Sequence, residues 1–335
     1  MGRQPKEGGS RRRWPQSYLL TFTLRRLVGL VAVLFVVSIG VYGLLDLSPG
    51  SPEYRLLSPE QPPTPQAIAA VRAQYHLDDS FVVRYGYWLE DAVRLKLGNS
   101  VVSSEPVLDA IKTRFGLTLP LAGYALLVAV LFGIPLGVVA AMRRGGLVDR
   151  AVVSVAVVGF SSPAFITGIF LLVVFVRWAG LFPGFGEGSG FGDRLYHLTL
   201  PACSLALALS ATLIKQTRAA TIETLEKDHI VFALARGLSR RRVFFRYILR
   251  NSLVPIITAG GLLVSFLLVG AVLVEVTFGL PGVGQLLAQS VASKDITMVQ
   301  GIAITFALLI VVVNFVVDLL YLAAEPRIRF GRQSA

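Results

Sequence analysis

Residues 228–255 read DHIVFALARGLSRRRVFFRYILRNSLVP, a polar, basic interruption between two apolar segments. The pattern predicts a short helix, a break at Gly237 and a second helix. Ile230, Val231, Ala233, Leu234 and Ala235 give the first helix its small and apolar positions. Gly237 can adopt the left-handed geometry that ends a helix, which a side chain resists. Ser239 is placed to cap the second helix. Arg242, Arg246 and Arg250 recur every fourth residue as one stripe, beside an apolar stripe of Val243, Phe244, Tyr247 and Ile248. A helix–glycine–helix elbow of this kind suits docking into the groove of another protein. The plainer alternative is a positively charged loop on the inner side of a membrane.

Working outward, the chain of 335 residues is 54% hydrophobic and 16% charged, with long uncharged runs, the profile of an all-α integral membrane protein. The net charge of +12 does not point to nucleic acid, because the basic residues cluster beside apolar segments rather than on a soluble domain. Cys203 is the single cysteine, so an internal disulfide is excluded. His76, His197 and His229 lie far apart, and no metal site is expected.

Apolar run length predicts six spans, near 27–47, 117–142, 151–177, 198–217, 253–278 and 300–323. Residues 1–17 read as a disordered tail and 18–47 as a helical lead-in and first span. Residues 48–112 read as an extracytoplasmic helical insertion, 113–323 as the main membrane domain and 324–335 as a second tail. Of the 32 lysines and arginines, 22 fall in segments that these spans put on one side, including both termini and the elbow. That side is therefore expected to be cytoplasmic. The first span lacks a small-residue cleavage site and reads as an uncleaved anchor.

In the outer insertion, Thr64 and Pro65 form a helix start, with Ile68, Val71 and Tyr75 on one face. A second helix is expected from Asp79 or Ser80 to about Leu97, carrying Phe81, Tyr85, Trp88, Ala92 and Leu95 at helical spacing. The pair could meet a delivery partner, or lie at the interface with Tyr85, Tyr87 and Trp88 at headgroup level.

Proline and glycine interrupt several spans: Pro120, Gly133, Pro135 and Gly137 in the second, Gly159, Pro163 and Gly168 in the third, Pro201 in the fourth. Such breaks suit a moving pathway, though close packing explains each singly. Glu275, Asn314 and Asp318 are the candidate pathway residues, since polar groups in spans face a cavity or a partner. No catalytic residue is assigned. Ser161 and Ser162 in GFSSP, with His197 as a base, resemble an intramembrane hydrolase only loosely, and no Lys-containing phosphate loop occurs. The glycines of 279–284 read as a tight outer turn between the fifth and sixth spans.

Several blocks in order carry a specific resemblance: LRRL (24–27), SPGSP (48–52), QYHLDDSFVVRYGYWL (74–89), RFGLTLPLAGYALLVAVLFGIPLGVVAA (114–141) and GFSSPAF (159–165). ALARGLSRRRVFFRYILRNSLVP (233–255), GAVLVEVTFGLPGVGQLL (270–287) and VNFVVDLLYLAAEPRIR (313–329) complete it. The chain resembles the transmembrane permease subunit of binding-protein-dependent ABC importers, in the dipeptide/oligopeptide/nickel branch. The resemblance implies a six-span bundle of the type I importer kind. It further implies a homologous second permease, two ATPase subunits that use ATP and Mg, and an extracytoplasmic substrate-binding protein. This chain would bind no cofactor, catalyse nothing and carry half the pathway in a bacterial inner membrane, for di- or oligopeptides. The ATPase-coupling contact would fall on Asp228, Val231, Phe232, Ala233, Arg236, Gly237, Leu238 and Arg242. The sequence departs from the family at Val231, Phe232 and Leu234, where basic or polar residues are common, and at His229, where Tyr is usual. These changes make the elbow more apolar. A self-sufficient ion-coupled carrier, needing Glu275 or Asp318, is the alternative from another class.

Overall fold

The computed structural model describes residues 16–47, 51–57, 62–243 and 249–324. Among these, regular structure is helical, with one isolated bridge between Asn99 and Pro106. Helices satisfy their own backbone groups, as hydrocarbon demands. The expected tails and the apolar stripe through Phe244, Tyr247 and Ile248 lie largely or wholly outside the described residues. So does Arg246 of the basic stripe.

Helix α1 (Gln16–Leu47) runs unbroken through the expected lead-in and first span. The chain continues as α2 (Pro52–Arg55), α3 (Pro65–Gln74) and α4 (Phe81–Val93). Thr64 caps α3 as its sequence predicts, accepting from the Ala67 N–H at 3.2 Å with Pro65 in the first turn. Val71 is buried with Leu56, Leu57, Val101 and Ile296, and Ile68 and Tyr75 pack against them. Helix α4 stops earlier than expected, and Leu95 lies beyond it with φ +61°. The α4 aromatics divide. Tyr85 shares a 2.7 Å hydrogen bond with Ser38 of α1, and Trp88 lies 5.4 Å from the Tyr42 ring, whereas Tyr87 stays exposed against His76.

The bundle is built on α8 (Gly190–Leu225), the most buried of the long helices, with α5 (Val107–Met142) laid along it. Both run through internal prolines without ending. Their approach is close because α5 presents Gly137 to Thr217: a Cβ there would lie 2.7 Å from the Thr217 Cβ. Small residues permit such crossings in lipid, where dispersion rather than water exclusion drives packing.

The third expected span is two helices, α6 (Leu147–Ser161) and α7 (Ala164–Leu171), bent by 105°. Pro163 forces this. It has no N–H to give, and it pushes Ser162 out of the helical region to φ −93°, ψ 122°. From α7 the chain winds on as a π-helix over Leu172–Trp178.

Helix α9 (Asp228–Ala235) and α10 (Arg240–Val243) form the elbow, and α11 (Leu249–Phe278) leads back across the bundle. The expected tight turn after α11 is real but incomplete. It opens a further helix, α12 (Val283–Ala292), at 76° to α11, before α13 (Ile296–Ala324). Among the described residues four helices are long and apolar enough to cross a membrane, or up to six spans if each bent pair counts as one.

Helices α1 and α13 run antiparallel and are tied at both ends. Arg26 forms a two-pronged ion pair with Asp318, its Nη2 2.6 Å from Oδ1. At the other end Gln300 Nε2 donates to the Val41 and Tyr42 carbonyls at 3.3 and 3.2 Å. Asp295 caps α13 through the Met298 N–H and also accepts from Ser100, joining the segment before α5 to the last helix.

Candidate functional site

The described part of the elbow follows the sequence expectation at Gly237 and Ser239, while residues 244–248 of the expected second helix lie outside the described residues. Gly237 has φ +80°, the left-handed region, and ends α9. Ser239 caps α10, its Oγ accepting from the Arg242 N–H at 3.4 Å. A small core holds the two helices together: Ile230 and Val243 are buried, with Leu225 and Leu238 packed against them. Several of the described side chains face outward. Phe232 is 68% exposed, and Asp228, Arg236, Gly237 and Arg242 are exposed with it. Val231 and Ala233 belong to α9, and their side chains lie outside the described residues. Phe232 is thus exposed on the same short segment as Arg236 and Arg242.

The base of the elbow is held from the side. Asp149, near the start of α6, receives Arg218 Nε at 2.6 Å and Nη2 at 2.8 Å, and the Gly145 N–H at 2.9 Å. Arg144 pairs with Glu226 at 2.6 Å. The loop after α5 therefore grips the last turns of α8, directly before α9. Neither pair was legible in the sequence, since their members lie 69 and 82 positions apart.

The three pathway candidates are not brought together. Glu275 is fully buried and latches the turn before α12. It accepts from Thr118 Oγ1 at 2.7 Å, from the Gly284 N–H at 2.7 Å and from the Gln285 N–H at 3.2 Å. Thr118 in turn accepts from the Val283 N–H at 2.9 Å. A Cβ at Gly282 would overlap the Glu275 carboxyl, which is why glycine stands there. Asp318 is engaged by Arg26, and Asn314 sits half-buried one turn before it. The hydrolase constellation is likewise not assembled. Ser161 Oγ donates to the Val157 carbonyl of its own helix, and His197 Nδ1 lies 3.0 Å from the Asp193 carbonyl oxygen. Among the described residues no group of His, Cys, Asp and Glu could hold a metal ion.

The described residues thus form a multi-helix bundle with bent pairs of apolar helices and a basic elbow, an architecture that similarity to known proteins places. The chain belongs to the binding-protein-dependent transport system inner membrane component family, whose model matches residues 133–330. The N-terminal model of the same kind of component matches residues 19–122. It is similar to the glutathione transport system permease protein GsiC of Shigella flexneri serotype 5b and of Escherichia coli K12. Each is 36% identical over 312 residues, covering 93% of this chain and 100% of the relative. The fold is similar to that in inward-facing structures of the MetNI methionine ABC transporter. Their TM-scores are 0.55 and 0.57 at 16% identity, covering 66% of this chain and 99% of theirs. The protein is thus a permease subunit of an ATP-driven importer and a non-catalytic, multi-pass membrane protein. Membership implies a second permease, ATPase subunits that use ATP and Mg, and a binding protein.

Proposed function

We propose that this chain forms half of a pathway for di- or oligopeptides, with glutathione as the first solute to test, given its similarity to the GsiC permeases. Residues 228–255 dock on an ATPase subunit, through Phe232, Arg236, Gly237 and Arg242 with Asp228, Val231, Ala233 and Leu238 around them. Two ATPases and one homologous permease complete the membrane assembly, and this chain itself holds no cofactor. Both termini and the elbow are cytoplasmic, in keeping with the placement of the basic residues, while 48–112 forms an outer insertion before the importer domain of 113–323. ATP-driven closure of the ATPases moves the elbows and tilts the helices above them between inward-open and outward-open states.

The observation that carries this reading is the elbow's small core: Ile230 and Val243 turn inward against Leu238 and against Leu225 at the end of α8, while Phe232 is left outside, so the elbow moves together with the end of α8. The test is copurification of tagged chain with its co-expressed partners. Phe232→Ala should lose ATPase subunits while leaving the chain folded. Full ATPase retention in Phe232→Ala and in a Gly237→Val chain would remove the elbow from the coupling contact. ATP-dependent glutathione uptake by the reconstituted complex tests the solute.

A further inference from the structure

By sequence, Lys215 is only one of the basic residues marking the inner side. Its surroundings say more. It belongs to α8, one turn before Arg218, and its Nζ lies 4.9 Å from the centre of the Phe160 ring. Phe160 lies eleven residues beyond Asp149 on α6. Phe160 leans back toward Asp149, and Lys215 starts one turn, about 4.5 Å of rise, from Arg218, so the ammonium lies on the order of 10 Å into the bundle from the Asp149–Arg218 pair. Side chains lean toward the N-terminus of their helix, which for Lys215 is away from Arg218 and into the membrane. A lysine that snorkels to the near interface would lean the other way.

Both partners face out of the chain: Lys215 is exposed and Phe160 is 61% exposed. Among the described residues no carboxylate pairs with Lys215, because Asp149 is committed to Arg218 and Glu226 to Arg144. A charged group at that depth is costly against lipid and characteristically faces water or a partner. Just past Phe160 the chain breaks at Ser162–Pro163, and α7 restarts. The first N–H groups of α7 to bond back within it are those of Ile166 and Thr167, to Pro163 O, so those of Ala164 and Phe165 face forward. The start of α7 follows Phe160 by four residues in the chain.

We propose that Lys215, held over Phe160 beside the broken third span, is a pathway cation that meets the carboxylate of the transported solute. This rests on the reading of the chain as half of a pathway, and it makes anionic peptides the preferred cargo class. The Phe160 ring holds one face of the ammonium and leaves its other N–H groups for the solute.

The test needs no transported solute. Phe160→Cys is made in a Cys203→Ser chain, and its reaction with a sulfonate-bearing and a trimethylammonium-bearing methanethiosulfonate is timed in the assembled transporter. The sulfonate stands in for a carboxylate. Cys at 160 should react with both reagents and favour the anionic one. Lys215→Gln should lower that preference about tenfold, and Lys215→Arg should keep it. A thiol unreactive toward both would put this face in lipid and overturn the proposal, as would a preference indifferent to Lys215→Gln. Rates are read on preparations carrying the ATPase subunits, whose copurification tests the underlying reading separately.

Discussion

Asp149 and Arg218 meet through two parallel hydrogen bonds, Nε to Oδ1 at 2.6 Å and Nη2 to Oδ2 at 2.8 Å. The fork geometry fixes the angle between α6 and the end of α8, and so the platform from which the elbow projects. Asp149→Ala and Arg218→Ala should each lower the thermal midpoint of the detergent-solubilised complex and weaken ATPase retention. The double variant should be no worse than the more damaged single, because both remove the same contact. Thermal losses that simply add would show the two residues acting independently.

Glu275 offers the second prediction. Its carboxylate takes a hydroxyl and two backbone N–H groups in a fully buried setting. Glu275→Ala strands those donors, at about 1–3 kcal/mol each for buried groups left unpaired. Glu275→Gln keeps an oxygen for the two N–H groups and turns its amide toward Thr118, so it should be the milder change. Denaturation monitored by fluorescence of a probe on α12 would order the two. Gln equal to or worse than Ala would refute the latch.

At Gly237 the cost lies in the backbone alone. Nothing lies within 4 Å of an added Cβ, yet φ is +80°. Gly237→Asn should retain ATPase subunits nearly as the parent does. Gly237→Val should lose most of them, reflecting about 1–2 kcal/mol of left-handed strain, made worse by branching at Cβ. Equal retention by both would mean that the turn is not under strain where the ATPase sits.

Asp318 separates the importer from a self-sufficient carrier. Its partner Arg26 is about half exposed, so the pair falls in the range where ion pairs contribute about 0–1 kcal/mol. Asp318→Asn should leave uptake by the assembled transporter within about twofold and stability nearly unchanged. Loss of uptake in a stable Asp318→Asn complex would bring the carrier back.

Local chemistry was legible in the sequence wherever it depended on near neighbours. Thr64 before Pro65, Ser239 before the basic helix and Gly237 between the two elbow helices all stand as their residue types dictate. The proline breaks were only half legible. Pro120, Pro135 and Pro201 sit inside continuous helices, while the chain breaks at Ser162–Pro163, and residue type alone does not separate the two outcomes. Glu275 was picked out for its charge in an apolar run, but its use as a latch depends on Thr118, distant in sequence and adjacent in space. Helix α12 was hidden because ten residues with two glycine-bearing turns at their head read as a loop. Lys215 looked like a topology signal because periodicity gives no depth.

The seam between α1 and α13 bears on how the protein is made. Arg26 and Asp318 are 292 positions apart, and Gln300 reaches back 258 to Tyr42. The first helix to leave the ribosome thus completes its contacts only when the last has been synthesised. Until then α4 covers only one end of α1, at Ser38 and Tyr42, and a nascent polypeptide cut short before α13 would present the rest of its α13-facing flank to the membrane's quality-control machinery.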